Sequence, residues 1–162
     1  MVRAPNRTVT RALTIFLATG AYSGYSPFAP GTAGSAVGLL LVWGGFGPLW
    51  SRSPLAALVV FAGAFAISCA IAGRAEEIFN QPDCSKIVID EILGMAATMF
   101  GNPTTTLWMA AGFLAFRVFD VIKPFPAGLI DRRIGGGTGV MLDDLAAAIY
   151  ANVVLQVARR LL

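Results

Sequence analysis

No Asp, Glu, Lys or Arg occurs between Arg11 and Arg52, a run of 40 positions, and further charge-free runs cover 53–73, 92–116 and 145–158. A spanning helix needs about 20 mostly apolar residues, and residues 54–73 (PLAALVVFAGAFAISCAIAG) fit that length directly. Across the 162 residues only 13% are charged and 56% are hydrophobic. Soluble domains carry about a quarter charged residues. Disorder is excluded by the abundance of apolar side chains. The chain is predicted to be one membrane-embedded domain covering 1–162.

The 40-residue run is too long for one helix and is interrupted by SPFAPGTAGS at 26–35, where Pro27, Pro30, Gly31 and Gly34 punctuate the chain. Gly101-Asn102-Pro103 divides the 92–116 run in the same way. The expected fold is all-α: a polytopic helical bundle with spans at about 34–50, 54–73, 85–100, 104–121 and 140–159. The first of these should end near Gly44, Gly45 and Pro48. Residues 12–25 are short and carry Thr, Ser and Tyr, so they are expected as an interfacial or re-entrant helix. A signal peptide is the alternative there, because Arg3, Arg7 and Arg11 precede the apolar stretch. With the N-terminus inside, Arg3, Arg7, Arg11, Arg74, Lys86, Arg117, Lys123, Arg132 and Arg133 fall on the cytoplasmic side. Arg52, Arg159 and Arg160 face out, a bias in the usual direction. Basic residues gathered at helix ends also argue against a nucleic-acid partner and for membrane lipid. Small residues spaced by four, Gly20/Gly24 and Gly34/Gly38, suit close helix packing.

The chain contains no histidine. That removes Ser-His-Asp catalysis, His-ligated zinc and phosphohistidine chemistry. Cys69 and Cys84 form no CxxC, and neither begins a Cys-x5-Arg phosphatase signature.

The acids carry the functional signal, since ionisable groups at apolar helices are expensive. Asp90-Glu91, Asp120 and Asp143-Asp144 each lie within the first or last two turns of an expected span, and alternate spans can bring the three groups to one membrane face. A site of carboxylates without His or Cys favours Mg²⁺, Mn²⁺ or Ca²⁺ over zinc. The competing reading pairs these acids with Arg117, Lys123 and Arg132; Arg117, Asp120 and Lys123 share a helix face at spacings of three. Arg117, Lys123 and Arg132 are candidate phosphate contacts, although Arg132 and Arg133 also suit anchoring to anionic lipid. Pro30 to Ser35 should open a helix on the same side, offering free N–H groups with Thr32 and Ser35 as polar contacts to an anion. Adjacent residues on a helix point about 100° apart, so one of each acidic pair is expected to stand outside direct contact with a metal. The simplest chemistry is attack on a phosphorylated lipid headgroup by metal-activated water, with a carboxylate as general base.

Three blocks, SGYSPFAPGTAGS (23–35), PDCSKIVIDEILGM (82–95) and FRVFDVIKPFPAGLIDRRIGGGTGVMLDDLAAA (116–148), resemble the phosphatidylglycerophosphatase A family. The resemblance implies a Mg²⁺-dependent enzyme of the bacterial inner membrane that removes the terminal phosphate of phosphatidylglycerophosphate at the cytoplasmic face. The motif positions fall on Pro30, Gly31, Thr32, Gly34 and Ser35; on Asp90 and Glu91; on Arg117, Asp120, Lys123 and Pro124; on Asp131 and Arg132; and on Asp143 and Asp144. Asp90, Glu91, Asp143 and Asp144 are expected as the metal group. Asp120 is expected as ligand or base, and Arg117 and Lys123 as phosphate binders. Histidines that some relatives carry near Cys84 and Gly135 are missing here, which leaves Asp83 less firmly in the site. Two other classes stay in view. A CDP-alcohol phosphotransferase has similar size and carboxylate chemistry, but its spaced Asp-Gly-x2-Ala-Arg motif is absent. A cation transporter would place its acids deeper within the spans.

Overall fold

The computed structural model describes residues 7–161, so Arg3 of the charge-bias count lies outside the described residues. Every element is helical: α1 Arg7–Ala18, a short 3-10 turn Ser23–Tyr25, α2 Pro30–Leu41, α3 Gly47–Arg52, α4 Pro54–Phe79, α5 Ile89–Met99, α6 Thr106–Ile122, α7 Ala127–Arg133 and α8 Gly136–Leu161. No strand occurs among the described residues.

The boundaries have local causes. Pro30 opens α2 and Pro54 opens α4, where a missing N–H costs nothing. Ser53 caps α4 by accepting the Ala56 N–H at 3.3 Å. Lys123 ends α6 in the left-handed conformation (φ 46°) just before Pro124, the stop that the Lys-Pro pair announces. One expected boundary is corrected. The first span does not end near Gly44, Gly45 and Pro48; it continues from Pro30 to Arg52 through a π-helical turn at Val42–Phe46. There the Gly47 N–H reaches back five residues to Val42 O. This register shift lets the ladder pass Pro48, which has no N–H to give.

Among the described residues three helical stretches are long and apolar enough to cross a membrane: Pro30–Arg52, Pro54–Phe79 and Gly136–Leu161. α5 and α6, expected as spans at 85–100 and 104–121, have 11 and 17 residues. α5 starts later than expected because Val88 is not yet helical (φ −137°, ψ 11°), its N–H donating to Ala18 O at 2.9 Å. α1 has 12 residues, or about 18 Å of helix, well short of the ~30 Å hydrocarbon core. It lies against α4.

α5 is the central element, packed by α2, α4, α6 and α8. Eight of its residues, from Ile89 to Met99, are buried. Large apolar side chains such as Leu55, Val59 and Ile67 on α4, and Leu107 and Leu114 on α6, point outward instead, as lipid-facing surfaces do. In lipid the helices gain little from hiding apolar surface, so close backbone approach and polar contacts hold them together. Gly38 supplies the approach between α2 and α5: a Cβ there would lie 2.8 Å from Met95 Cβ and 2.9 Å from Ile92 O. Polar contacts join α8 to the far end of α5. Asn152 Nδ2 donates to Ala97 O, Thr98 O and Phe100 O at 3.2, 2.8 and 2.8 Å, and Arg159 donates to Gly101 O at 2.8 Å.

These contacts predict that Gly38→Val lowers stability by about 1–3 kcal/mol through overpacking, read as a reduced melting midpoint in detergent. Gly63→Ala on α4, where a Cβ meets nothing within 4 Å, should leave the midpoint unchanged or slightly raised. Equal behaviour of the two variants would refute the α2–α5 contact.

Candidate functional site

The site forms where α2, α5 and α8 begin and α4 and α6 end. The first turn of α5 carries Asp90 and Glu91. The last turns of α6 bring Arg117 and Asp120, and the third turn of α8 brings Asp143 and Asp144. One oxygen from each of Asp90, Glu91 and Asp144 lies within 4.8 Å of the others. Among the described residues this is the one such trio of potential metal ligands. Asp120, Glu91 and Asp143 all act electrostatically on Asp144, so the three acidic blocks separated in sequence do converge.

The two adjacent acidic pairs differ in geometry. Asp143 and Asp144 divide: Asp144 joins the trio, while Asp143 accepts a hydrogen bond from Lys123 Nζ instead. Asp90 and Glu91, although adjacent, both contribute an oxygen. This is accommodated by the longer, more adaptable Glu side chain.

The bases are paired rather than idle. Arg117 Nη1 donates to Asp120 Oδ2 at 2.7 Å. Lys123 Nζ donates to Asp131 Oδ1 at 2.7 Å and also to Asp143. Burial alone would lower the Lys123 pKa, yet the hydrogen bonds and charges of Asp131 and Asp143 hold it above the ordinary lysine range. An ammonium has three donors, so one N–H is left over from these two bonds. Arg132 is exposed on the last turn of α7 and forms no ion pair among the described residues.

The start of α2 also differs from the expected anion cradle. Pro30 has no N–H, and the Thr32 and Ala33 N–H groups turn back to Ala29 O at 2.9 and 3.2 Å. Ser35 is fully buried and its hydroxyl donates to Gly31 O at 2.9 Å; Thr32 is half-buried. What α2 contributes instead is space. A Cβ at Gly31 would collide with Glu91 Oε1 and lie 3.2 Å from Arg117 Nη1, so a side chain here would displace the ends of these two site residues. Glu76, which the sequence pattern did not single out, lies near this face and accepts the Asp83 N–H at 2.7 Å.

Does the arrangement fit a metal? Four buried carboxylate oxygens have no hydrogen-bond partner: Asp90 Oδ1, Glu91 Oε2, Asp143 Oδ1 and Asp144 Oδ2. Buried charge without a partner is costly. Around a hard divalent cation with bonds of about 2.1 Å, ligand oxygens sit about 3–4 Å apart. The trio is already near that spacing, and its donors are all oxygen. The residues fit a divalent cation.

Fold and site together define a helical membrane protein with an acid-lined polar site at one end of its bundle. Comparison with known proteins places it further. The sequence model for phosphatidylglycerophosphatase A matches residues 16–159, and the chain belongs to that family. It is 35% identical over 145 residues to the phosphatidylglycerophosphatase A of Escherichia coli, covering 86% of this chain and 79% of the relative. The Haemophilus influenzae phosphatidylglycerophosphatase A is 35% identical over 140 residues, covering 86% and 84%. A Bacteroides thetaiotaomicron protein provisionally named phosphatidylinositol-3-phosphatase is 34% identical over 157 residues, covering 91% and 94%. No solved structure matches the chain.

Like charges crowded without a partner predict a trade between stability and cation binding. In chelator, Asp144→Asn should melt higher than the parent chain, because a repelling charge is removed. Added Mg²⁺ or Mn²⁺ should raise the parent's midpoint by binding the folded state and leave the variant's unmoved. A parent midpoint that ignores both cations would exclude the trio as a metal site.

Proposed function

We propose that this chain is a Mg²⁺-dependent lipid phosphatase that hydrolyses the terminal phosphomonoester of phosphatidylglycerophosphate, giving phosphatidylglycerol and phosphate. The observation that carries the reading is the convergence of Asp90, Glu91 and Asp144 within 4.8 Å beside two cations, Arg117 and Lys123. Family membership supplies the lipid substrate class.

In this reading Asp90, Glu91 and Asp144 hold the cation. Bound there, it supplies Lewis acidity toward water and the phosphoryl oxygens. The chain's own residues do the rest. Lys123 offers its remaining N–H to the phosphate, and Arg117, anchored by Asp120, faces the same group with its unused guanidinium donors. Asp120 takes a proton from the attacking water as its oxygen bonds to phosphorus. The P–O ester bond breaks, and Asp120 passes the proton it took from water to the departing alcohol oxygen, leaving inorganic phosphate. Asp143 holds Lys123 in place.

The active face is the cytoplasmic one. Arg52 shares a cavity with Asn102, and Arg159 binds Gly101 O. Both therefore sit at the C-terminal end of α5, opposite Arg117 and Lys123, as the positive-inside bias requires. α2, α5 and α8 run away from the acidic face and α4 and α6 run toward it. Five crossings would alternate in this way, with α5 and α6 completing the bundle and α1 lying at the interface. A transporter is disfavoured because its acids would line a path through the bilayer, not one end of the bundle.

The Bacteroides relative's name raises a second substrate, phosphatidylinositol 3-phosphate; it too is a phosphomonoester on a lipid headgroup. The test is phosphate release by the pure protein in detergent micelles with Mg²⁺. Asp90→Ala and Asp144→Ala should each lower kcat by about a hundredfold or more, the scale of losing a principal electrostatic element. Chelation should abolish turnover and Mg²⁺ restore it. Retained activity in both variants would sink the assignment.

A further inference from the structure

The end of the bundle opposite the carboxylate trio carries a polar cavity of about 320 Å³, walled by α3 and by the α5–α6 loop at Asn102 and Thr104. Gly47 lets the two walls meet, since a Cβ there would lie 2.7 Å from Thr104 Cγ2. Trp50, 7% exposed, backs the cavity and packs against Phe46 and Phe100 with ring centroids 5.2 and 5.9 Å away.

Two groups of this lining lack a partner. Asn102 is 2% exposed; its Nδ2 donates to Thr98 O at 3.2 Å, and its Oδ1 is buried with no partner. Turning the amide over would set Oδ1 against a carbonyl oxygen, so the Thr98 bond fixes which atom stays free. A buried acceptor in this condition calls for a donor. Arg52 also lines the cavity, and among the described residues its guanidinium forms neither an ion pair nor a hydrogen bond.

The chain has no acid to offer Arg52. All nine Asp and Glu fall at 76–91, 120–131 and 143–144. The fold gathers these segments at the other end, where Glu76, Asp83, Asp131 and Asp143 line a cavity of their own. The counter-anion of Arg52 must therefore come from outside the chain.

The level of the cavity narrows its source. Arg52 closes one membrane-length stretch and Pro54 opens the next. The cavity thus lies where the chain leaves the hydrocarbon, among phospholipid headgroups. A phosphodiester there suits a guanidinium, and the headgroup beyond it can supply the missing donor. Arg159 and Arg160 stand at the same end with no acid beside them, which disfavours an ammonium headgroup. A hydroxyl is neutral and donates equally well.

We infer that this cavity binds an anionic phospholipid with a hydroxyl-bearing headgroup, its phosphodiester on Arg52 and a hydroxyl donating to Asn102 Oδ1. The site lies away from the reaction and does not depend on the phosphatase reading.

The test is the melting midpoint of the full chain in detergent and chelator, titrated with single ligands. Phosphatidylglycerol at about a hundred times its Kd should raise the midpoint by about 5–10 °C. Arg52→Gln should weaken this binding about tenfold and Asn102→Ala about fivefold, the scales of losing a charged and a neutral hydrogen bond. Each shift is read against the variant's own lipid-free midpoint, so a basal loss in Asn102→Ala does not hide it. Arg160→Gln removes a base at the same end but outside the cavity lining, and it should keep the parent's affinity. Phosphatidylcholine, with a phosphodiester but no donor, should bind about tenfold more weakly, and inorganic phosphate should leave the midpoint unmoved. A parent that ignores phosphatidylglycerol, or equal affinity in Arg52→Gln, would overturn the site. So would equal losses in all three variants, or equal stabilisation by phosphatidylcholine or by inorganic phosphate.

Discussion

Hydrogen bonding at the end of α5 sets the register on which the site depends. A helix inside a bilayer cannot leave its last carbonyls to water, because there is none. α5 stops after 11 residues, and Asn152 of α8 reaches three of its terminal carbonyls. Asn152 lies eight residues beyond Asp144, and Thr98 lies eight beyond Asp90. The two helices therefore run side by side in the same direction, clamped at one end by an amide. Their acids meet at the other end, about 12 Å away. The clamp has no chemistry of its own, yet it makes Asp144 meet Asp90 instead of a neighbouring turn.

The opposite end bears the energetic cost. Carboxylates that would repel one another are brought together where four of their oxygens lack partners. The fold tolerates this by using Arg117 and Lys123 on the surrounding acids, Asp120, Asp131 and Asp143, while leaving the trio itself without a basic partner in those ion pairs. That division answers the competing reading of the sequence, in which all the acids pair with the bases. The outer acids do pair; the inner three do not. A chain selected for stability alone would not keep the inner three.

Much of this architecture was legible because charge is so scarce. The charge-free runs locate most of the helical segments, Gly101-Asn102-Pro103 separates α5 from α6, and Lys123-Pro124 ends α6 where expected. What failed to show in the pattern depended on contacts distant in sequence. Gly44, Gly45 and Pro48 read as a terminus, but a π turn carries the helix through them. Val88 reads as helix, but its N–H is claimed by Ala18. Asp143 and Asp144 look equivalent until Lys123, 20 positions earlier, takes one of them. In the Pro30–Ser35 block the sequence does not reveal that a Cβ at Gly31 would collide with Glu91 Oε1, an approach made only in the folded chain. Glu76 was invisible because nothing in a solvated-looking stretch marks a residue that folds back onto a cavity.

The position of the site along the bundle explains why few charges suffice. A phospholipid headgroup phosphate is held near the membrane surface by its own acyl chains, so the enzyme need not draw it from bulk water with a broad basic field. Arg117 and Lys123 lie at the end of α6, where a headgroup would arrive, and each is already oriented by a carboxylate. Long-range steering, which would favour many exposed bases, is replaced by confinement to two dimensions. Under that constraint the local balance matters more than the net charge of +3. In the proposed reaction the acid-rich interior would hold a cation, and the paired bases at its edge would offer donors to phosphate once the substrate is in place.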